Sequence, residues 1–387
     1  MSEWKKVKLE NCCHSISDGD HLPPPKSECG VPFITIANID ATNHIDFGDT
    51  MFVPFDYYDN LNNIRKARCN DILYSVVGSF GKPVLIKDNI PFVFQRHIAI
   101  LRPNNEIADS RFLYYIMLTR DFYMQADTIA IGAAQRTISL TALRNMEVEL
   151  PPMEIQHRIA TILSRYDSLI ENYQKQIKLL EEAAQRLYKE WFIDLHFPGH
   201  ENTKIVDGVP EGWEKKPVDS IYSIKYGKNL STKLISESGK FPVYGANGVI
   251  GYYDKANCNE QVVLITSRGN GSGDVLMTYH KDAFITNNSF IVSPLEDYSY
   301  CQLPFTYQFL KNANFRAVRT GAAQPQLTNQ SIHTVDVVLP SKNIIVEYCG
   351  KVSYSNKKII VLKNQIRLLT EARNRLLPKL MSGEIAV

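Results

Sequence analysis

Charge of one sign is not in excess in this sequence: 43 lysines and arginines stand against 41 aspartates and glutamates, which leaves a net charge of +2. This balance excludes a uniformly basic or acidic chain, although local patches can still bind nucleic acid. No apolar run approaches the roughly 20 residues that a membrane span needs. The first residues also lack the apolar stretch of a signal peptide. We therefore expect a globular protein with no membrane segment.

Paired cysteines and catalytic motifs are missing as well. The seven cysteines form no Cys-x-x-Cys pair and no Cys/His metal spacing, so we expect reduced thiols, a cytoplasmic location and no metal site. There is no phosphate-binding P-loop, no His-Glu-x-x-His and no Gly-x-Ser-x-Gly. The Pro-Pro pairs at 22–25 and 150–153 have no aromatic residue after them, unlike the motif of an amino-methyltransferase. We predict no catalytic residue in this chain.

A repeat with a period of 189 residues is the strongest feature that is present. The tetrapeptide Gly-Ala-Ala-Gln at 132–135 recurs at 321–324, and Leu-Pro at 150–151 recurs at 339–340. Gln-Ile-Lys-Leu-Leu at 176–180 recurs as Gln-Ile-Arg-Leu-Leu at 365–369. A repeat of this length indicates one structural unit used twice. Between these segments the two copies match only loosely, which suggests one scaffold with two different surfaces.

Short β-branched runs separated by glycine and proline predict strands in the first copy, at 31–39, 71–77, 84–86, 98–101 and 146–150. Residues 110–117 predict a short helix. The fold class is therefore α+β, with two β-rich globular domains. We place domain boundaries at 1–150 for the first globular domain, 151–197 for a long helix, 198–340 for the second globular domain, and 341–387 for a second long helix.

The first long helix, predicted at 154–195, carries an apolar heptad pattern. Its two columns are Ile159, Tyr166, Tyr173, Leu180, Leu187 and Leu163, Ile170, Ile177, Ala184, Trp191. The second helix, at 343–380, keeps eight of the ten positions apolar, and Ser355 and Arg373 interrupt its seam. Such stripes are typical of a coiled coil, so we predict that the two helices pair antiparallel. The second helix has eight basic and two acidic residues, so an acidic partner or a DNA backbone could lie beside it.

Side chains able to read DNA bases occur in glycine-rich or strand-end segments of both globular domains. Arginine and lysine can contact guanine, and asparagine and glutamine can contact adenine. The candidates are Ser79, Lys82, Gln95, Arg96, His97, Gln135 and Arg136 in the first domain, and Arg268, Asn270, Ser272, Asn287, Asn288, Arg319 and Gln324 in the second. The glycine-rich run at 268–273 is either a flexible turn or a loop that meets a DNA phosphate. The repeated Gly-Ala-Ala-Gln is either a tight turn or a DNA contact.

Taken together, these segments resemble the specificity subunit of type I restriction–modification systems, over the whole chain. The resemblance rests on 132–135 leading to Val-Glu-Leu-Pro-Pro-Met-Glu-Ile-Gln at 148–156, on 191–199 at the end of the first long helix, and on Pro-Glu-Gly-Trp at 210–213. The last segment, 375–385, is typical of the family's C-terminus. The second copy departs from the pattern at Ser341 and Ile345, which correspond to Pro152 and Gln156.

The resemblance implies a function. Each globular domain would be a target recognition domain that reads one half of a bipartite, asymmetric DNA site. The two helices, the family's conserved spacer regions, would set the distance between half-sites and bind modification and restriction subunits. Adenine methylation with S-adenosylmethionine, and ATP- and Mg²⁺-dependent translocation and cleavage, would belong to those partners, so this chain would bind no cofactor.

Two alternatives belong to other classes. A coiled-coil scaffold would assemble proteins without sequence-specific binding of double-stranded DNA. A stand-alone DNA enzyme would need the catalytic motifs that are missing.

Overall fold

The computed structural model describes residues 4–21, 23–40, 42–133, 135–321 and 324–387. Ala134, Ala322 and Ala323 of the repeated tetrapeptide lie outside these residues. The chain divides into two compact units: unit 1 consists of Met1–Glu171 and Leu368–Val387, and unit 2 of Asn172–Arg367. Each unit therefore combines one predicted globular domain with part of each predicted long helix. The domain boundaries at 150, 197 and 340 stay a prediction.

The described residues of unit 1 form three small sheets. In the antiparallel four-stranded sheet, β2 (Cys13–Asp18) lies beside β8 (Ile98–Pro103), which is followed by β5 (Ile72–Ser75) and β6 (Pro83–Leu85). A second sheet has the order β4 (Met51–Val53), β3 (Val31–Ile34), β7 (Val93–Phe94), in which β3 and β7 are parallel. In the third sheet, β1 (Lys5–Lys8) pairs with β9 (Glu147–Leu150). The elements are β1 Lys5–Lys8, β2 Cys13–Asp18, β3 Val31–Ile34, β4 Met51–Val53, α1 Phe55–Asn60, β5 Ile72–Ser75, β6 Pro83–Leu85, β7 Val93–Phe94, β8 Ile98–Pro103, α2 Ser110–Met117, α3 Arg120–Ile129, α4 Leu140–Asn145, β9 Glu147–Leu150 and α5 Met153–Tyr188.

Unit 2 repeats this topology. Its four-stranded sheet has the order β13 (Tyr222–Tyr226), β19 (Ser289–Pro294), β16 (Val263–Thr266), β17 (Val275–Met277). Its three-stranded sheet has the order β15 (Gly248–Tyr253), β14 (Phe241–Gly245), β18 (Phe284–Ile285), and β14 and β18 are parallel. Strand β12 (Glu214–Pro217) pairs with β20 (Asp336–Leu339). The elements are β10 Ile205–Val206, β11 Val209–Pro210, β12 Glu214–Pro217, β13 Tyr222–Tyr226, β14 Phe241–Gly245, β15 Gly248–Tyr253, β16 Val263–Thr266, β17 Val275–Met277, β18 Phe284–Ile285, β19 Ser289–Pro294, α6 Leu303–Lys311, α7 Asn329–His333, β20 Asp336–Leu339 and α8 Lys342–Met381.

The register of the strands confirms the internal repeat where the sequence match is loose. Phe33 pairs with Val93 in the parallel ladder of unit 1, and Val243 pairs with Phe284 in that of unit 2. Within the four-stranded sheets, β5 against β8 corresponds to β16 against β19. Strands β16 and β19 lie 191 positions after β5 and β8, whereas the repeated sequence motifs lie 189 positions apart, because the segments that connect the elements differ in length. The two globular domains thus share one topology and differ in their loops.

The predicted strands and short helix are confirmed with adjusted ends. The helix at Ser110–Met117 matches the prediction residue for residue. The strand predicted at 31–39 stops at Ile34, because Thr35 and Asn38 form a capping box on the short turn Ile36–Asn38. The strand predicted at 71–77 covers only Ile72–Ser75, whereas the one at 98–101 extends to Pro103. Turn chemistry, which the apolar pattern does not report, accounts for the early end of the first of these strands.

The two long helices are confirmed, but the first is shorter than predicted. The prediction of α8 is accurate to one residue at each end. In contrast, α5 ends at Tyr188 and continues as a wider π turn over Lys189–Ile193. Trp191 and Phe192 in this turn are both buried against Tyr188 and Tyr348. A π turn shifts the helix phase, which lets two successive aromatic side chains enter one core.

The heptad seam is the buried face of the helices in each unit. In unit 1, Ile159 and Leu163 of α5 share a core with Leu376 and Leu380 of α8. In unit 2, Ile177 shares a cluster with Ile359 and Leu362. Ascending numbers on α5 meet descending numbers on α8, so the two segments run antiparallel in each unit. This apolar packing explains why the heptad pattern appears in both copies.

One of the two seam interruptions has a specific partner. Arg373 of α8 donates from Nη1 to Oδ1 of Asp167 on α5, at 2.6 Å. Tyr115 of α2 donates its hydroxyl hydrogen to Oδ2 of the same carboxylate, also at 2.6 Å. The carboxylate thus joins three helices of unit 1. The other interruption, Ser355, is half-buried in unit 2.

We expect Asp167→Ala to lower the free energy of unfolding by roughly 2–3 kcal/mol, because it leaves the Arg373 charge and the Tyr115 hydroxyl unpaired in a poorly hydrated site. Urea denaturation of the purified chain measures this change. Asp167→Asn, which keeps an acceptor for Tyr115 and removes the charge, should lose less. Equal stability of Asp167→Ala and the wild type would show that the network does not stabilise unit 1.

The departure at Ile345 also has a physical account. In unit 1, the buried Gln156 accepts from the Asp109 N–H at 3.0 Å and donates to the Pro151 carbonyl at 2.9 Å. In unit 2, Ile345 is fully buried in the apolar core instead. A polar clamp and an apolar contact therefore serve the same position in the two copies.

Candidate nucleic-acid interface

Three loops meet at one end of the four-stranded sheet of unit 1, and we call their described residues the first loop cluster (residues 76–82, 95–97, 131–133 and 135–137). The Val76 N–H donates to the His97 carbonyl at 2.9 Å, and the Gly78 N–H donates to the Arg136 carbonyl at 2.9 Å. The Ile138 N–H in turn donates to the Val76 carbonyl at 2.8 Å. These bonds hold together the predicted DNA-contact residues of the first domain, which lie up to 57 positions apart in the sequence.

The described residues of the corresponding loops of unit 2 form the second loop cluster (residues 267–274, 286–288, 319–321 and 324–326). Here the Ser267 N–H donates to the Asn288 carbonyl at 2.8 Å, and the Gly269 N–H to the Pro325 carbonyl at 2.9 Å. The Leu327 N–H donates to the Ser267 carbonyl at 2.8 Å. Each of these bonds has its counterpart in the first cluster. Each predicted set of site residues therefore lies at the corresponding end of the four-stranded sheet of its own unit.

Side chains of the first cluster differ in how much surface they present. Ser79, Arg96 and Gln135 are exposed, and Lys82 is half-buried. Gln95 and His97, also half-buried, lie 3.1 Å apart between Nε2 and Nδ1. This end of unit 1 therefore offers hydroxyl, amide, imidazole and cationic groups to the surface, which are groups that contact bases and phosphates.

Arg136 connects the first cluster to α3. It forms an ion pair with Asp127, and its guanidinium lies over the Phe80 ring at 5.4 Å. Phe80 in turn stacks on Tyr123, with ring centroids 5.8 Å apart and planes only 8° from parallel. Stacking of this kind orders the loop that carries Ser79. Phe80 and Tyr123 were not predicted as site residues, because a contact between residues so far apart in the sequence leaves no local pattern.

The second cluster presents a different set of side chains. Arg268, Asn270 and Gln324 are exposed, and Asn287, Asn288 and Arg319 are half-buried. Arg319 donates from Nη1 to the Asn270 carbonyl at 3.3 Å. The glycine-rich run at 268–273 is a turn held by two backbone hydrogen bonds. The Ser272 N–H donates to the Gly269 carbonyl, and the Gly273 N–H donates to the Thr266 carbonyl.

Ser272 is the one predicted contact that the structure places inside the protein. Its relative exposure is 0%, and its hydroxyl donates to the Ser267 carbonyl at 3.3 Å. A fully buried side chain has no surface for DNA, so Ser272 stabilises the turn and is corrected here to a structural residue. The exposed Lys228, which was not predicted, lies beside the second cluster, where its carbonyl accepts from the Asn287 N–H at 3.1 Å.

Charged contacts join the loops of each unit to its helices. In unit 1, Glu171 of α5 accepts from His44, at 3.0 Å from Nε2, and from Lys87. These hydrogen bonds lower the pKa of Glu171 to about 2, and the bond to Glu171 raises the pKa of His44. In unit 2, Glu181 of α5 pairs with Lys363 of α8 at 3.5 Å, and the Lys363 ammonium lies over the Tyr279 ring at 3.4 Å.

We expect the contribution of His44 to stability to depend on pH. The raised pKa of His44 means that its contribution is complete below its ordinary pKa of 6.5 and is lost as the pH rises through the higher folded value. The lowered pKa of Glu171 means that its contribution is complete above its ordinary pKa of 4.5 and is lost as the pH falls through about 2. The ionic contact is therefore complete between about pH 4.5 and 6.5, with Lys87 and Asp40 as the other charges facing His44.

The measurement is thermal denaturation of the wild type and of His44→Gln at several pH values. The difference in stability, roughly 0.5–1 kcal/mol for a partly exposed pair, should be largest between these limits and should shrink above them. A difference that grows between pH 7 and 9 would contradict the assigned protonation. 

The described part of the chain contains neither a group of side chains suited to a metal ion nor a helix suited to span a membrane. No three His, Cys, Asp or Glu side chains within it are grouped so that they could hold a metal ion. Among the helices formed by these residues, none is both long and apolar enough to cross a membrane.

Comparison with known proteins points to one family. The model of the type I restriction modification DNA specificity domain matches residues 1–182 and 210–360. The MjaIX specificity subunit of Methanocaldococcus jannaschii is 28% identical over 305 residues, which cover 72% of this chain and 69% of that one. The HindI specificity subunit of Haemophilus influenzae is 22% identical over the whole of both chains. The crystal structure of a type I S subunit from M. genitalium superposes with a TM-score of 0.59 at 21% identity, covering 98% of this chain and 96% of that one, and shows the same fold.

Proposed function

The chain belongs to the type I restriction–modification specificity subunits, and from this membership we propose that each of its globular domains reads one half of a bipartite, asymmetric site in double-stranded DNA. We propose further that α5 and α8 set the spacer between the half-sites and dock the modification and restriction subunits. The methyltransferase, translocase and nuclease chemistry would lie on those partners, together with S-adenosylmethionine, ATP and Mg²⁺. The chain itself would then contribute recognition and no catalysis.

A single observation carries the proposal: the same loop cluster is built twice, with the same backbone bonds and different side chains. Arg96 and His97 of the first cluster correspond to Asn287 and Asn288 of the second. Identical clusters would favour a palindromic site, whereas two different sets of base-reading groups suit two unlike half-sites.

The test is a binding selection with the assembled complex of this chain and its modification subunits, using a random double-stranded DNA library. We expect two short specified segments separated by a spacer of fixed length and free sequence. Retention of all sequences to an equal extent would support the coiled-coil scaffold instead. Selection of one continuous segment would contradict two separate readers.

The docking proposal rests on an apolar patch on the helices of unit 2, formed by Leu179 of α5 and by Tyr354 and Val361 of α8. Their relative exposures are 65%, 76% and 49%. Each of these three residues follows a seam residue (Ile177, Val352 or Ile359) by two positions, which places it on the outer surface of the helix pair, away from Glu181 and Lys363 beside Tyr279. Exposed leucine, valine and tyrosine at heptad spacing form a surface that an amphipathic partner helix can cover.

We expect Val361→Asp to abolish or strongly weaken assembly with the modification subunits, because docking would bury its carboxylate against an apolar helix. Size-exclusion chromatography of the co-expressed proteins measures this loss. Val361→Thr keeps the branched shape of the side chain and adds no charge, and it serves as the matched control. If both variants assemble like the wild type, the modification subunits dock elsewhere.

A further inference from the structure

The described residues of the turns that carry the repeated tetrapeptide form the same backbone contacts in both units. Ile131 and Thr137 exchange two backbone hydrogen bonds, and Thr320 and Gln326 do the same. Gly132 has φ of 108°, and Gly321 has φ of 85°. A Cβ atom at either glycine would lie only 2.6 Å from the carbonyl oxygen of the glutamine three residues later. Glycine and the backbone ladder are therefore sufficient to impose the turn.

The glutamine side chains have no comparable structural role. Gln135 and Gln324 are both exposed. Neither amide group forms a hydrogen bond with any residue that the structure describes. In unit 1, the Gln135 Nε2 atom lies 3.7 Å from the position that a Cβ atom on Gly78 would occupy, so the amide lies over the loop after β5. No described contact of the amide group holds the turn, and yet glutamine stands at this position twice.

Apart from glycine, most corresponding side chains of the two loop clusters differ in residue type, as Arg96 and Asn287 do. Ser79 of the first cluster has Asn270 near its place in the second, and Arg136 corresponds to Pro325. Two domains that read unlike half-sites need different side chains at most positions. A side chain that both keep should contact something that the two half-sites share.

Resting on the proposed function, we propose that Gln135 and Gln324 each read an adenine, one in each half-site. A glutamine amide donates from its NH₂ group to adenine N7 and accepts at its carbonyl from the adenine N6 amino group. Both contacts are available in the major groove without unpairing the base. Gln135 and Gln324 thus give the two half-sites one base in common, and the neighbouring side chains specify the rest.

The experiment compares Gln135→Ala, Gln324→Ala and the wild type in complex with the modification subunits. Binding is measured on the selected DNA site and on sites with each base pair changed in turn. We expect Gln135→Ala to lose roughly 5- to 150-fold discrimination at one adenine–thymine pair in one half-site. Gln324→Ala should do the same in the other half-site only. Gln330→Ala, an exposed glutamine on α7, is the matched control and should leave the profile unchanged.

Other outcomes would overturn the inference. A uniform loss of affinity on all sequences would show that the glutamines contact phosphates instead of bases. A wild-type profile in both variants would show that they contact neither, while the proposed function would stand. If the wild-type complex itself selects no bipartite site, the proposed function fails first. Gln135→Glu and Gln324→Glu keep the side-chain shape and should shift the preferred base toward cytosine, because a carboxylate accepts from cytosine N4.

Discussion

Replacing residues 1–150 with the corresponding domain of another family member is expected to change one half of the recognised DNA site completely and to leave the other half unchanged. The loops of the first cluster are bonded to one another, through Val76 to His97 and Gly78 to Arg136, so they move into a chimera as one block. The second cluster keeps its own bonds. Sequencing of the DNA sites methylated by each complex measures the outcome.

The design of this exchange follows from the contacts within unit 1. His44 and Lys87 hold Glu171, and Tyr115 holds Asp167. A donor domain should therefore receive these three side chains at the corresponding positions, and the same chimera without them serves as the control for stability. The reciprocal exchange of 198–340 should change the opposite half-site. A change of both half-sites in either chimera would contradict independent domains.

Inserting one heptad into both long helices is expected to lengthen the spacer by about three base pairs. Seven helical residues add roughly 10 Å, and B-DNA rises about 3.4 Å per base pair. The insertions belong after Gln174 in α5 and after Asn364 in α8, because Tyr173 and Ile366 lie in one apolar cluster with Ile177. A full heptad keeps the apolar positions in phase, so the seam can close again. Selection of bipartite sites from a library with varied spacers measures the change.

Single insertions provide the control. A heptad added to α5 alone shifts its apolar positions past those of α8, and the complex should lose sequence-specific binding. An unchanged spacer with both insertions present, in a complex that binds DNA normally, would show that the helices do not set the distance.

Features that repeat with a short period could be predicted from the sequence. The heptads located α8 to within one residue at each end, and the apolar run at 110–117 located α2. Both depend on local periodicity, which the residues themselves display. The end of α5 was wrong by seven residues, since the π turn at Lys189–Ile193 is set by the packing of Trp191 and Phe192 against Tyr348, far along the chain.

The candidate site could be predicted only in part. Residue types suited to base contact identified the loops, and the structure brings them together through strand pairing between distant segments. The burial of Ser272 and the stack of Arg136, Phe80 and Tyr123 depend on those long-range pairings, so no local pattern reports them. The partner of Arg373 was hidden for the same reason, because Asp167 lies on another helix.

The most direct test of whether this chain carries two different recognition domains on one repeated scaffold is the pattern of methylated adenine in the host genome, with and without this gene. We expect one bipartite motif, with unlike halves and a fixed spacer, that is methylated in the wild type and unmethylated in the deletion strain. Restoring the gene should restore that motif alone. A motif that persists in the deletion strain, or one with identical halves, would contradict the account.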